Sequence, residues 1–221
     1  MQRTFARQLL LAAQRQRPVL STSRAPRRID SKTSKIEFSS TSYYRASISP
    51  TISLDPQTEL AKEWFEKGAR AWQEGDLENA LDCYEKSAWS KPTADAYFNA
   101  GNVLHSMGQH DKAIDAWKRS LNLDDKRPDA HVNIGNCYAL ILKDLKQAIN
   151  HLEKAVALDP TDGEIRFNLG AILDATGDTE RAIEEYGAAE KYGVERAKVN
   201  LKNAKIKLLA KKAKSDGTES K

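Results

Sequence analysis

Four histidines and two cysteines are the side chains of this 221-residue sequence best suited to hold a metal or act as a nucleophile. His105, His110, His131 and His151 form no i, i+4 ligand pair of the kind a single helix presents to zinc. Cys83 and Cys137 stand alone, without the short spacing of a zinc knuckle or redox motif. Both fall within amphipathic helical patterns, where a free cysteine acts as a small buried hydrophobe in a reducing compartment. The acidic stretch Asp159-Pro160-Thr161-Asp162-Gly163 lacks the ligand spacing of a calcium loop and marks a boundary between elements. No glycine-rich phosphate loop follows a strand pattern, and no strand pattern is evident. We therefore expect no catalytic residue, metal or cofactor, and a chain that is not an enzyme.

Charge divides the sequence into three parts. Residues 1–49 hold ten Lys/Arg against Asp30 and Glu37; residues 50–194 hold 16 bases against 26 acids; residues 195–214 hold eight bases against Glu195. The net charge of +4 hides this partition. The leader begins MQRTFARQLLLAAQRQ, with arginines alternating with apolar residues, and Ser and Thr dominate residues 21–53. An amphipathic, Arg-rich, acid-poor start is the composition of an organelle transit peptide, and it resembles a mitochondrial presequence. A secretory signal would need a longer apolar core. Residues 1–50 are thus expected to be a transit peptide and disordered linker, with cleavage after Arg45-Ala46, and the mature protein is expected in the mitochondrial matrix. No apolar run approaches the ~20 residues that span a bilayer, so no transmembrane segment is expected.

The rest of the chain repeats. Gly68, Gly101, Gly135 and Gly170 recur at near-34-residue intervals. Ala80, Ala113, Ala148 and Ala182 follow them, and Tyr84, Trp117, Leu152 and Tyr186 come four residues later. Turn glycines stand between the halves at Gly75, Gly108 and Gly177. Small residues let two antiparallel helices approach, a bulky one fills the space beside them, and a glycine reverses the chain. Helices are expected over 57–73, 77–90, 94–107, 111–123, 128–142, 145–157, 162–175 and 179–191. Asp55-Pro56 supplies a cap and a first-turn proline.

The segments YFNAGNVLHSMGQHDKAIDAW and EIRFNLGAILDATGDTERAIEEY resemble the tetratricopeptide repeat family. The resemblance covers about 60% of the chain, implies an all-α, right-handed α-solenoid, and divides a domain over 56–196 into repeats at 61–93, 94–127, 128–162 and 163–196. Repeat three departs from the pattern: ALILKDLKQAI carries an extra residue and no turn glycine, which should lengthen the turn near Lys143 and Asp144. Repeat one carries Lys67 where an apolar residue is usual. Residues 194–213 continue as a basic capping helix with Val194, Ala197, Leu201, Ala204 and Leu208 on one stripe, followed by a disordered tail over 214–221. That basic helix could touch RNA or an anionic membrane, although no interleaved aromatic is available to stack on bases. No DNA partner is expected.

The resemblance also implies which positions face the inner groove. They place Asn99, Asn102, Asn133, Asn136 and Asn168 as an amide ladder, Phe98, Val132 and Phe167 as apolar contacts, and Asp95, Asp129 and Glu164 as an acidic edge. Amides pair with a peptide backbone without reading its side chains. This lining suits extended, neutral or basic segments. The basic clamp by which some family members hold a chaperone's C-terminal carboxylate is missing, since its positions hold Phe98, Glu164 and Asn168. A protein–protein interaction adaptor or assembly factor in mitochondria is the leading expectation; a stable subunit of a ribosome or respiratory complex is the alternative.

Overall fold

The computed structural model describes residues 55–218, with side chains through Lys214. The leader and linker over 1–50 lie outside the described residues. Helices α1 (Pro56–Glu74), α2 (Leu77–Ser90), α3 (Ala94–Ser106), α4 (His110–Leu123), α5 (Pro128–Cys137), α6 (Leu145–Leu158), α7 (Gly163–Thr176), α8 (Thr179–Lys191) and α9 (Ala197–Thr218) follow one another. Each packs chiefly on its neighbours in sequence, first as a hairpin within a repeat and then against the next repeat. This is an all-α solenoid, and among the described residues no strand occurs.

Local sequence sets the helix starts. The Asp76 side chain accepts from Asn79 N at 3.1 Å, Thr93 from Ala96 N at 3.2 Å, and Asp162 from Glu164 N and Ile165 N at 2.8 and 3.0 Å. These bonds satisfy amides that the first helical turn leaves without partners. Gly75, Gly108 and Gly177 take φ of 83°, 76° and 87° at the hairpin turns, a region closed to most side chains.

The repeat glycines work differently. A Cβ built on Gly68, Gly101 or Gly170 would meet the ring of Tyr84, Trp117 or Tyr186 at 3.0, 2.6 and 3.1 Å, and one on Gly135 would meet Leu152 at 3.0 Å. The second helix of each repeat therefore lays its bulky residue directly over the glycine of the first. Tyr84, Trp117, Leu152 and Tyr186 are buried, and each such side chain contributes about 1.5–3 kcal/mol. Ser87 and Ser120 add a staple: each hydroxyl donates at 2.8 Å to the carbonyl of a first-helix residue, Ala61 or Ala94.

Repeat three absorbs its extra residue inside the helix rather than in the turn. After Cys137 the backbone widens into a π-helical turn, Tyr138–Leu142. The closing bond there runs from Asp144 N to Tyr138 O (2.9 Å), six residues back; the equivalent bonds Asp76 N to Ala71 O, Gln109 N to Leu104 O and Asp178 N to Leu173 O span five. Lys143 takes the place of the glycine, at φ 58°. Inserting a residue as a π turn keeps the flanking helices in register.

The C-terminal helix starts at Ala197 and runs to Thr218. It packs on α8, burying Ala197 and Ala204 and half-burying Leu201 and Leu208. The expectation of a disordered tail from residue 214 is thus corrected for residues 214–218, which are helical: the run rich in Ala, Lys and Leu over 204–214 consists mostly of strong helix formers, and the helix carries on past it. Residues 219–221 lie outside the described residues.

Candidate protein-binding face

The five ladder asparagines sit on the first helices of repeats two, three and four, and all are buried: Asn99, Asn102, Asn133 and Asn168 are at most 5% exposed and Asn136 is 9% exposed. Two of these amides, Asn102 and Asn133, bond across helix interfaces. Asn102 Oδ1 accepts from Trp117 Nε1 at 3.0 Å and from Asn133 Nδ2 at 3.1 Å, which ties the glycine-capping tryptophan of repeat two to repeat three. Asn99 Nδ2 donates to its own helix at Asp95 O, 2.9 Å. The expectation that Asn102 lies in an open groove is corrected: residues 98–104 are buried without interruption, so α3 presents no polar floor there. Asn136 lacks the tryptophan donor because Leu152 replaces Trp117. Its Oδ1 and that of Asn168 are buried without a partner, at a cost of about 1–3 kcal/mol each.

The expected apolar contacts divide. Phe98 and Phe167 are buried at 3% and 2% exposure, while Val132 is half-buried against the core of repeats three and four. A guanidinium covers each ring: Arg127 lies 4.7 Å from the Phe98 centroid and Arg196 4.3 Å from that of Phe167. The same arginines engage the acidic edge. Arg127 pairs with Asp95 at 2.6 Å, and Arg196 forks onto both carboxylate oxygens of Glu164. Each pair latches the start of one repeat to the residues that follow its end. The cation completes two contacts at once, a carboxylate in front and an aromatic face beneath. Thr161 stands where an arginine would reach Asp129, and Asp129 is exposed and forms no salt bridge among the described residues. The edge therefore carries less negative charge than its acids suggest, concentrated in the middle repeat.

The histidines, unpaired along any one helix, meet between helices. His131 and His151 bring their Nδ1 atoms to 3.0 Å, and Tyr138 stacks on His151 with centroids 5.8 Å apart. Burial, helped by His131, Lys154 and Lys118, pushes His151 down to about 4; burial and Lys154 lower His131. His105 and His110 meet Cys137, whose thiol burial and Asp111 push up to about 12. Without a metal ion to lower it, such a thiol is no ready nucleophile. These clusters escaped sequence inspection because their members come from different helices. For His105 and His110 the one signal available was polar residues at positions that repeat one fills with Trp72 and Leu77.

Similarity to known proteins follows the same architecture. Two family models described as tetratricopeptide repeat match residues 92–161 and 139–206, together more than half the chain. The general transcriptional corepressor ssn6 of Schizosaccharomyces pombe is 27% identical over 143 residues, 63% of this chain but 12% of that protein. The BBSome complex member BBS4 of Bos taurus is 29% identical over 123 residues, 55% of this chain and 23% of its own. The chain thus spans a small part of the length of these relatives. Among solved structures, MamA from Desulfovibrio magneticus RS-1 superposes with a TM-score of 0.62 at 22% identity, covering 73% of this chain and 93% of that one. YrrB, described as a tetratricopeptide repeat protein with an unusual peptide-binding site, superposes at 0.54 and 24% identity, covering 63% and 75%. At these identities the likeness speaks for fold alone. With a hairpin that lays a bulky side chain over a glycine repeated four times, and both family models matching, the chain belongs to the tetratricopeptide repeat proteins.

Proposed function

We propose that this protein is a non-catalytic adaptor or assembly factor in mitochondria, holding client polypeptides along the inner edge of its repeats. Tetratricopeptide repeats mediate protein–protein interactions, and among the described residues no helix is long and apolar enough to cross a membrane. The observation that carries the client preference is the edge itself: Asp95 and Glu164 are held by arginines, while Asp129, at the corresponding position between them, is exposed and forms no salt bridge among the described residues. A lysine or arginine of an extended client would find its counter-charge there, with half-buried Val132 beside it. The buried amides act as the backbone of this face rather than as its grip, so the recognition expected of the ladder passes to the edge.

Asp129→Lys tests the edge without touching the core, because the Asp129 side chain is exposed. Crosslinked co-purification from intact mitochondria should recover fewer partners with the variant, at unchanged helicity. A partner profile identical to wild type would remove the edge from the account. The compartment is tested separately: deleting residues 1–45 should leave a folded protein in the cytosol, and mitochondrial import of that truncation would refute the presequence.

A further inference from the structure

His105 sits in the last turn of α3, His110 opens α4, and Cys137 closes α5. Gly108, at φ 76°, reverses the chain so that the two histidines face each other. His105 Nδ1 lies 3.2 Å from His110 Nδ1 and 3.4 Å from Cys137 Sγ, and one ligand atom from each of the three lies within 4.8 Å of the others. The corresponding positions in repeat one are Trp72 and Leu77, which pack in an apolar cluster. Repeat two has exchanged that apolar contact for two imidazoles and added the thiol of repeat three.

Hydrogen bonding alone serves this arrangement poorly. His105 Nδ1 has one lone pair or one proton, and two neighbours compete for it. A cation at the centre would use a lone pair from all three. Tetrahedral zinc, with Zn–N of about 2.0–2.1 Å and Zn–S of about 2.3 Å, sets N–N and N–S edges of about 3.3 and 3.5 Å. The two separations from His105 Nδ1 match these, and the third edge, His110 to Cys137, lies within 4.8 Å and closes by side-chain adjustment. The surroundings fit as well. Cys137 is 1% exposed, both histidines are half-buried, and the Trp117 ring walls one side at 5.8 Å from His105. Asp111, exposed and next to His110 in sequence, adds a carboxylate at the rim.

We propose that His105, His110 and Cys137 form a zinc site with three protein ligands and one open coordination position, clasping repeats two and three together. On binding, the Cys137 S–H bond breaks, its proton goes to solvent, and the thiolate sulfur bonds the ion; both imidazoles bind as neutral donors. Two nitrogens and one sulfur favour zinc over the oxygen-seeking magnesium and calcium.

Cobalt(II) is the spectroscopic probe, added to the full-length reduced chain and displaced by zinc. We expect one ion per chain, the intense visible bands of a tetrahedral site and a near-ultraviolet thiolate charge-transfer band. Cys137→Ser should abolish that band, His110→Gln should weaken zinc at least tenfold, and Cys83→Ser should change neither. Zinc should raise the melting temperature of wild type and Cys83→Ser but not of His110→Gln. His110 is half-buried at a helix start, so this variant decides the matter even if Cys137→Ser fails to fold. Pale octahedral cobalt without a charge-transfer band, a band that survives Cys137→Ser, or equal zinc affinity in His110→Gln would each overturn the site.

Discussion

Two glycines of repeat two, Gly101 and Gly108, show how differently the same residue type can matter. Gly101 holds space: an added methyl would sit 2.6 Å from Cδ1 and Nε1 of Trp117, and that nitrogen is engaged by Asn102. Gly108 holds a backbone angle, and nothing lies within 4 Å of where its Cβ would be. Gly101→Ala must push a fully buried indole off its hydrogen bond and should cost about 2–4 kcal/mol, in the range of overpacking plus a stranded donor. Gly108→Ala should cost only the left-handed penalty of about 1–2 kcal/mol. Urea denaturation of both variants checks the order; an equal or reversed ranking would mean that the glycine–tryptophan contact is loose. The His131–His151 pair supplies a second test. Both imidazoles are held below the ordinary histidine range, His151 at about 4, so protonation favours the unfolded chain. That stability is present above about pH 6.5 and is lost as pH falls towards 4. From pH 7 to pH 5, His151 alone should account for about 2 kcal/mol, and His151→Leu should flatten this part of the stability profile. A slope unchanged in the variant would place the acid sensitivity elsewhere. At this scale the glycine–aromatic pairs were legible in the sequence, because their spacing encodes a contact within one hairpin. The asparagines were not: three-residue spacing puts Asn99 and Asn102 on one face but leaves open whether another helix covers that face.

At the level of elements, the helix boundaries were readable from caps, turn glycines and period, with one exception whose physics is instructive. The extra residue of repeat three was visible, but its effect was expected in the turn. Lengthening the turn would have shifted α6 against α5 and moved Leu152 off Gly135. A π turn takes up the residue one step earlier and leaves that contact intact, with Leu152 fully buried. What remains is the conformational cost of Lys143 at φ 58°, only partly offset by its ammonium donating to Leu140 O at 2.5 Å. Lys143→Gly should relieve the left-handed strain and stabilise the protein by about 1 kcal/mol, seen as a melting temperature higher by about 2–4 °C. A lower melting temperature would show that the lysine's own bond outweighs the strain. The crossing arginines belong to this scale too. Arg127 and Arg196 could be counted in the sequence, but their reach to Asp95 and Glu164, each 32 residues away, depends on repeat stacking that no local pattern reveals.

A solenoid has two ends, and stability across the whole molecule depends on how they are closed. At the C-terminal end α9 brings two kinds of contact to the last repeat. One is ionic: Lys207 pairs with Asp174 at 2.8 Å and Lys212 with Glu180 at 3.8 Å. These side chains are 52% and 62% exposed, so water and salt screen them, and exposed pairs of this kind contribute about 0–1 kcal/mol. The other is apolar: Val194, Ala197 and Ala204 are buried with the core of repeats three and four, and Leu201 packs against it. Buried apolar groups outweigh exposed, screened ion pairs, so the second should dominate, even though lysines are what the sequence of α9 displays most prominently. The two contributions separate by mutation. Lys207→Met with Lys212→Met removes both charges, keeps the aliphatic stems, and should change stability by less than about 1 kcal/mol, with the remaining effect vanishing in high salt. Leu201→Asp with Leu208→Asp places two carboxylates against the apolar face and should cost several kcal/mol, independent of salt. Chemical denaturation of the two double variants at low and high salt decides between them. If the lysine pair proves the costlier loss, α9 is an electrostatic strap rather than a hydrophobic lid, and its basic face is committed to the repeats instead of being available to an anionic partner.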